Sequence, residues 1–557
     1  MRRPLLALSL LAAAPSAQIQ GVTVFDGWST PSVLRTDDGR YATAIHVHLL
    51  PDGRVLCVGS ARTTPDSTQK FDGKLAFTLA LPPLGEALPA ETQVDELLMP
   101  VDYDLFNKDG VIVDDTLFCS GHTAMADGSF FSVGGTRGFF EVATGETITT
   151  GLGYATRYGD EHWERVPEDM IGTGGTGSPL RWYPTPVRLP DERILIVGGF
   201  ELLQPTPTFN LSAEIYHPRS ETWNLHSAHY QVPPFIFSTD YTHAFVLPEP
   251  LGAFDVLTFG QAGVPVQLDV DGDGWLGSKW LKLPKPRPGS NIADQPNWGA
   301  STALLPLRGP QAPSEYTDGT VMVAGGGSMG SSHQHSVDFY DARKGQWLER
   351  IETGVPRHHP NTVLLPDGRV LIVGGHGPQY ATSSQATRTQ YVDAQQDLQL
   401  QAGAADAGVL RGYHAVAALL PDGRVFLAGG KGDPELEQKD EQTTFQLYYP
   451  SYLFAPRPRI VEAPAEIGFG EHFELTTRGA QPERFALMGV PSMTHSFDTN
   501  QRHIELELAG SVPGQGQSWR SRLLAPANGR IAPPGLYMLF ALDAARTPSE
   551  AVFVQLD

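Results

Sequence analysis

Apolar and polar positions along the chain repeat one phrase. A small or polar start leads into a short apolar run, a tight turn, a second apolar run and then Gly-Gly. It reads LLPDGRVLCVGS at 49–60, MADGSFFSVGG at 125–135, RLPDERILIVGG at 188–199, YTDGTVMVAGG at 316–326, LLPDGRVLIVGG at 364–375 and LLPDGRVFLAGG at 419–430. A degenerate copy, FVLPEPLGAFDVLTFGQ at 245–261, makes seven. Each copy predicts a β-hairpin whose turn uses Gly for its positive φ. After some copies comes an aromatic phrase, IYHPRSETW at 215–223 and DFYDARKGQW at 338–347, which predicts the outer two strands of a four-stranded blade. Helical periodicity is scarce.

Repeats of this kind and spacing predict an all-β protein in which residues 18–455 form a seven-bladed kelch-type β-propeller, a radial array that hides its sheet edges. The period stops near Tyr452, and Pro456-Arg457-Pro458-Arg459 reads as a linker. Residues 456–557 alternate short strand patterns (FELTT, RFALMGV, HIELELA, LYMLFAL, AVFVQL) with turns, which predicts an immunoglobulin-like β-sandwich. The 59 glycines and 46 prolines punctuate these runs with no collagen period.

The N-terminus changes the picture by adding a destination. Arg2 and Arg3, the apolar run Leu5 to Ala14 and the small residues to Ala17 read as a signal peptide over 1–17, so the mature chain is expected to be secreted or periplasmic. A buried first strand is the alternative. No other stretch is apolar enough to span a bilayer. With 62 acidic against 40 basic residues, the charge argues against nucleic acid and anionic membranes as partners. Cys57 and Cys119 are the only cysteines, and in an exported chain such a pair invites a disulfide. The insert LDVDGDGWLGSKW at 268–280 puts Asp269, Asp271 and Asp273 in register with a calcium loop, but its twelfth position is Trp280 where Glu is required. Calcium and a plain Asp/Gly-rich turn both remain open there.

Functional residues of a propeller gather where the chain enters the innermost strands. Cys119 in FCSGH, Tyr183 in RWYPT, His359 after Arg357-His358, and Tyr413-His414 in RGYH all stand just before repeated strands. Cys119, Tyr183 and Tyr413 hold nearly equivalent places, so these three are expected to converge on one end of the axis. The sandwich adds His495 within SMTHS. Imidazole together with phenolate suits tetragonal Cu(II). A phenol, with a pKa near 10, needs a cation to ionise at neutral pH. Structural zinc prefers four Cys or His ligands. Packing roles for the tyrosines, solvated histidines and a small buried Cys119 are the bland alternatives.

Over nearly the whole mature length these motifs resemble the galactose oxidase / glyoxal oxidase family of mononuclear copper-radical oxidases. FCSG, RWYPT, RGYHAVAALLPDGRV and THSFDTNQR match its four motifs in order. The resemblance implies copper held by Tyr183, Tyr413, His414 and His495, with Tyr183 joined through its ring to the sulfur of Cys119 as a thioether radical cofactor. It implies Tyr413 as axial ligand and base, and O2-dependent oxidation of a primary alcohol or an aldehyde hydrate with release of hydrogen peroxide.

Three departures point away from galactose. Phe200 stands where the galactose-oxidising branch has a Trp shielding the radical. His359 stands near that branch's sugar-facing aromatic, and that branch's N-terminal carbohydrate-binding domain is not found. A small aldehyde or alcohol is therefore the expected substrate. The rival readings are a non-catalytic kelch propeller that binds glycan or protein, and a copper-binding relative without turnover.

Overall fold

A computed structural model describes residues 27–64, 74–97, 111–141, 147–172, 179–202, 208–225 (without 211), 241–251, 254–260, 264–268, 280–282, 287–288, 297–308, 319–327, 335–377 (without 349), 387–431 and 441–557, with isolated pieces at 18–19, 22–23, 99, 105–106 and 270. Their regular structure is β throughout, apart from the 3-10 turn Ser451–Phe454. The proposed calcium aspartates and the signal peptide lie outside the described residues.

Every copy of the repeated phrase is an antiparallel hairpin. Tyr41–Leu49 pairs Val55–Arg62, Gly121–Ala124 pairs Phe130–Val133, Thr185–Arg188 pairs Ile194–Val197, and His243–Leu251 pairs Phe254–Phe259. Ala300–Leu304 pairs Thr320–Gly325, His358–Leu364 pairs Arg369–His376, and Ala415–Leu419 pairs Val425–Gly429. The aromatic phrases form outer strand pairs as expected, with Tyr216 directly opposite Trp223 and Tyr340 opposite Trp347. Such cross-strand aromatics cover the blade's outer edge. The ring closes non-sequentially: Ser32–Arg35, from the start of the chain, pairs Thr444–Tyr448 from the last repeat.

Turn chemistry explains why the phrase recurs. In the PDGR copies an aspartate side chain accepts from the backbone N–H two residues on, Asp52 from Arg54 at 2.9 Å, Asp367 from Arg369 at 3.1 Å and Asp422 from Arg424 at 2.9 Å. The intervening Gly sits at φ 84–91°, a region costly for residues with a Cβ. The PDER copy puts Glu192 at φ 72° in that place, so the fold tolerates the strain once.

The closing Gly-Gly has a different partner. Arg181 donates to Gly198 O at 2.7 Å, Arg411 to Gly429 O at 3.0 Å, Arg287 to Gly325 O at 2.7 Å and Arg357 to Gly374 O at 2.5 Å. All four guanidinium groups are buried. Arg181 also pairs with Glu214 at 2.8 Å, both side chains fully buried.

The sandwich has two sheets, Arg459–Glu462, His472–Arg478, Ser518–Leu524 and Glu507–Pro513 in one, and Glu466–Ile467, Val552–Leu556, Gly535–Leu542, Arg484–Gly489 and His503–Glu505 in the other. Its core residues Leu487, Leu523 and Leu539 belong to one apolar cluster with Phe245, Leu257 and Tyr340 of the propeller. The hairpin Ser492–Thr494 to Phe497–Asp498 leaves the sandwich and adds to the innermost strand Tyr41–Leu49, with Thr494 opposite His46 and Ser492 opposite His48. No disulfide joins Cys57 to Cys119: Cys57 packs in the propeller core and Cys119 in a separate cluster with Tyr183.

Arg181→Met is expected to lower unfolding free energy by about 3–5 kcal/mol, because Glu214 stays buried without its partner. Adding Glu214→Leu should recover much of that loss. Denaturant titration of the two variants checks both statements.

Candidate metal centre

The expected residues do converge, and they share a backbone signature. Cys119 (φ 63°), Tyr183 (63°), His359 (52°), His414 (72°) and His495 (45°) all adopt left-handed conformations. So does Tyr241 (41°), which sequence reading missed. Non-glycine residues held there cost about 1–3 kcal/mol each and persist where the surroundings over-determine them. Here the fixings run from blade to blade. The N–H of Tyr183 donates to Cys119 O at 2.8 Å, that of Tyr241 to Tyr183 O at 3.3 Å, and that of His359 to Gly299 O at 2.7 Å. The Tyr241 hydroxyl returns to Ser120 O at 2.9 Å.

Four candidate donors meet at the mouth of the axis. The hydroxyls of Tyr183 and Tyr413 are hydrogen-bonded to each other. His414 and His495 lie with ring centres 4.7 Å apart, and the His495 ring is 5.0 Å from that of Tyr183 and 5.3 Å from that of Tyr413. His414 Nδ1 is fixed at 2.5 Å by the buried carboxylate of Glu441, another residue that the sequence motifs did not flag. A carboxylate accepts from Nδ1–H, which leaves Nε2 with its lone pair, the form that binds a metal. His495 Nδ1 bonds the Thr494 hydroxyl at 2.7 Å, while its Nε2 is buried and has no hydrogen-bond partner. Burial, and then the neighbouring histidines, push the pKa of His495 well below its ordinary value, so its imidazole is neutral. No cluster of three His, Cys, Asp or Glu ligands exists among the described residues. Two imidazoles and two phenols are the candidate donors, and such a set would suit copper better than zinc.

Cys119 and Tyr183 share one small apolar cluster with Phe200 and Tyr241. The ring lying on Tyr183 is Trp182, with centres 3.8 Å apart and planes at 31°. Phe200 packs on Trp182 at 5.6 Å. Trp182 is pinned through Nε1 to Thr136 at 2.8 Å, and Thr136 donates to Phe118 O at 2.7 Å, beside Cys119. In front of the donors opens a cavity of about 200 Å3 walled by Tyr241, His243, Phe259, Asn297, Trp298 and His359.

Residues 457–556 match the family model "Galactose oxidase-like, Early set domain". The chain is 30% identical over 429 residues to aldehyde oxidase GLOX of Vitis pseudoreticulata, covering 71% of this chain and 74% of that one. It belongs to the galactose oxidase / glyoxal oxidase family of copper-radical oxidases. A galactose oxidase of Gibberella zeae is 25% identical over 411 residues, 68% of this chain and 54% of that protein. In fold, the chain is similar to a fungal alcohol oxidase of the AA5 family solved in complex with copper, with a TM-score of 0.67 at 19% identity over 95% of this chain and 99% of that one.

The hairpin that delivers His495 carries its own titrating group. Asp498 is half-buried and accepts from the N–H groups of Ser492 and Asn500 at 2.9 and 3.0 Å. Burial nonetheless raises its pKa from 3.8 to about 6. The folded state therefore binds this proton more tightly than the unfolded chain does. Stability from Asp498 is fully present below about pH 4 and declines as pH rises through about 6. Asp498→Asn keeps the acceptor oxygen and removes the titration. The difference between wild-type and variant Tm should shift in the variant's favour between pH 4 and 6.5, read by thermal melts across that range.

Proposed function

We propose that this protein is an exported oxidase of small aldehydes, as their hydrates, or of small primary alcohols. It would use one copper ion and a Cys119–Tyr183 thioether, and reduce O2 to hydrogen peroxide. The observation that carries the reading is the meeting of two phenols and two imidazoles, one with a buried and unsatisfied Nε2, beside Cys119.

Tyr183, Tyr413, His414 and His495 would hold the metal. Bound there, copper supplies a one-electron acceptor and a Lewis acid that acidifies a ligated hydroxyl. The remaining work falls to the chain. Tyr413 takes the substrate's O–H proton as general base. Tyr183, as the one-electron-oxidised phenol cross-linked to Cys119, takes a hydrogen atom from the carbinol carbon. The substrate thereby loses two electrons and two protons, and O2 gains them as hydrogen peroxide. Trp182, rather than Phe200, covers the oxidised ring and keeps solvent from it.

Substrate size and charge follow from the walls. A cavity of about 200 Å3 is below the roughly 300 Å3 lower end for drug-sized ligands. Its named walls are aromatic, imidazole and amide, with no carboxylate, lysine or arginine among the described lining residues. A small neutral diol or alcohol fits this chemistry better than a sugar acid or an amine.

Copper loading under O2, followed by peptide mass analysis, should yield a Cys119–Tyr183 peptide lighter by two hydrogens and resistant to reductant. Peroxide should then appear with small aldehydes or alcohols. Cys119→Ser should load copper and lose both. Uncross-linked peptides from copper-loaded protein that releases no peroxide would favour the copper-binding, non-catalytic alternative.

Glu441→Gln removes the anionic partner of His414 Nδ1. It should weaken copper binding about 10- to 100-fold, measured by competition with a chelator.

A further inference from the structure

The file of histidines does not end at the metal centre. Beside His495, and outside the lining of the substrate cavity, lie His46 and His122. Their ring centres are 5.2 Å apart at 68°, and His46 is 5.8 Å from His495. Both come from innermost strands, His46 from Tyr41–Leu49 and His122 from Gly121–Ala124. Both are buried, at 1% and 0% exposure. His46 has no hydrogen-bond partner on either ring nitrogen, and His122 has none on Nε2. His122 is oriented by its Nδ1, which bonds Ser492 Oγ of the inserted hairpin at 2.7 Å.

We propose that His46 and His122 form a second metal-binding pair that takes a cuprous ion. With metal–nitrogen bonds of about 2.0–2.1 Å, two imidazoles sharing one ion in line, the arrangement two-coordinate copper favours, put their ring centres roughly 6 Å apart. The observed 5.2 Å is about 1 Å short of that, within reach of a small shift of the two rings. The ligand number selects the ion. Calcium and magnesium need several oxygens, zinc needs four donors, and among the described residues no third His, Cys, Asp or Glu completes the pair. Monovalent copper is content with two neutral nitrogens and adds least charge to a buried site. An ion held there stands one imidazole away from the oxidase centre, beside His495 and outside the lining of the substrate cavity.

Anaerobic titration of the metal-free protein with cuprous ion, against a colorimetric Cu(I) chelator, tests this. Wild type should take up about two equivalents, and His46→Phe and His122→Phe about one each. His414→Ala, which disables the oxidase centre alone, should keep about one, with an X-ray absorption edge typical of two nitrogen donors. One equivalent in wild type and in both phenylalanine variants overturns the proposal and assigns the pair to bound water. One in wild type and in His414→Ala, with none in His46→Phe, upholds the pair and sinks the oxidase-centre reading instead. The absorption edge of the His414→Ala protein decides the matter if neither phenylalanine variant folds.

Discussion

The bond from a buried arginine to the Gly-Gly carbonyl of its own blade is the constraint on which the site rests. Arg181 and Arg411 each reach across the inner hairpin to a carbonyl on its second strand, and each stands two residues before a site tyrosine. Arg357 does the same two residues before His359. Arg411 bonds only carbonyl, hydroxyl and amide oxygens, and burial lowers its pKa to about 9. A charge in that setting is expensive to hide, and the structure keeps it because the guanidinium fork fixes the chain where it turns into the strand. Gly is required opposite: a Cβ at Gly429 would lie 2.0 Å from Ala44 O, and one at Gly375 would lie 2.9 Å from His358 O. The motif residues and the repeat residues are two ends of the same contact.

That lock makes the left-handed residues affordable. Tyr183, His359 and His414 would relax to ordinary φ values in a free loop. Held as they are, they turn their side chains inward over the axis instead of along the strand. The plug from the sandwich completes the arrangement, since His495 arrives on a hairpin whose pairing partner is an innermost propeller strand. Ser301 Oγ holds Ser496 O at 2.6 Å, and Thr499 Oγ1 donates to His122 O at 2.5 Å. Tyr183, Tyr413 and His414 come from the propeller and His495 from the sandwich, so neither part alone holds all four candidate donors.

How much of this was legible in the sequence depended on how local the signal was. The hairpins were legible because Pro-Asp-Gly and Gly-Gly encode specific turns. Cys119, Tyr183 and Tyr413 with the adjoining His414 were picked out because they stand at nearly equivalent places before repeated strands, and His495 because a polar SMTHS loop in the sandwich matches a motif of the family. Tyr241 occupies that same place, but its phrase at 245–261 is degenerate and the strand start was harder to fix. Glu441 was missed because its tie to His414 crosses a 27-residue separation that carries no motif. Trp182 was in plain view within RWYPT, yet its ring meets Tyr183 only because Tyr183 has a positive φ, which composition does not show. His46 was not singled out at all and His122 stood only at the end of FCSGH, because the inward direction of both matters only once the innermost strands are assembled.

The same separation of roles bears on substrate choice. The donors ride on the locked strand starts, whereas much of the wall facing them comes from the segment just before Ala300–Leu304. Asn297 there has both amide atoms buried without a hydrogen-bond partner, and His359 Nε2 is likewise unmet. Polar atoms left dry inside a cavity are costly unless a ligand satisfies them, so these groups are suited to a substrate's second oxygen. Gly299 sets their spacing, for a Cβ on it would lie 2.9 Å from the His359 ring. Changes at 297–299 can therefore reshape what the cavity accepts without disturbing the arginine locks, and the oxidising centre can stay constant while its substrate varies.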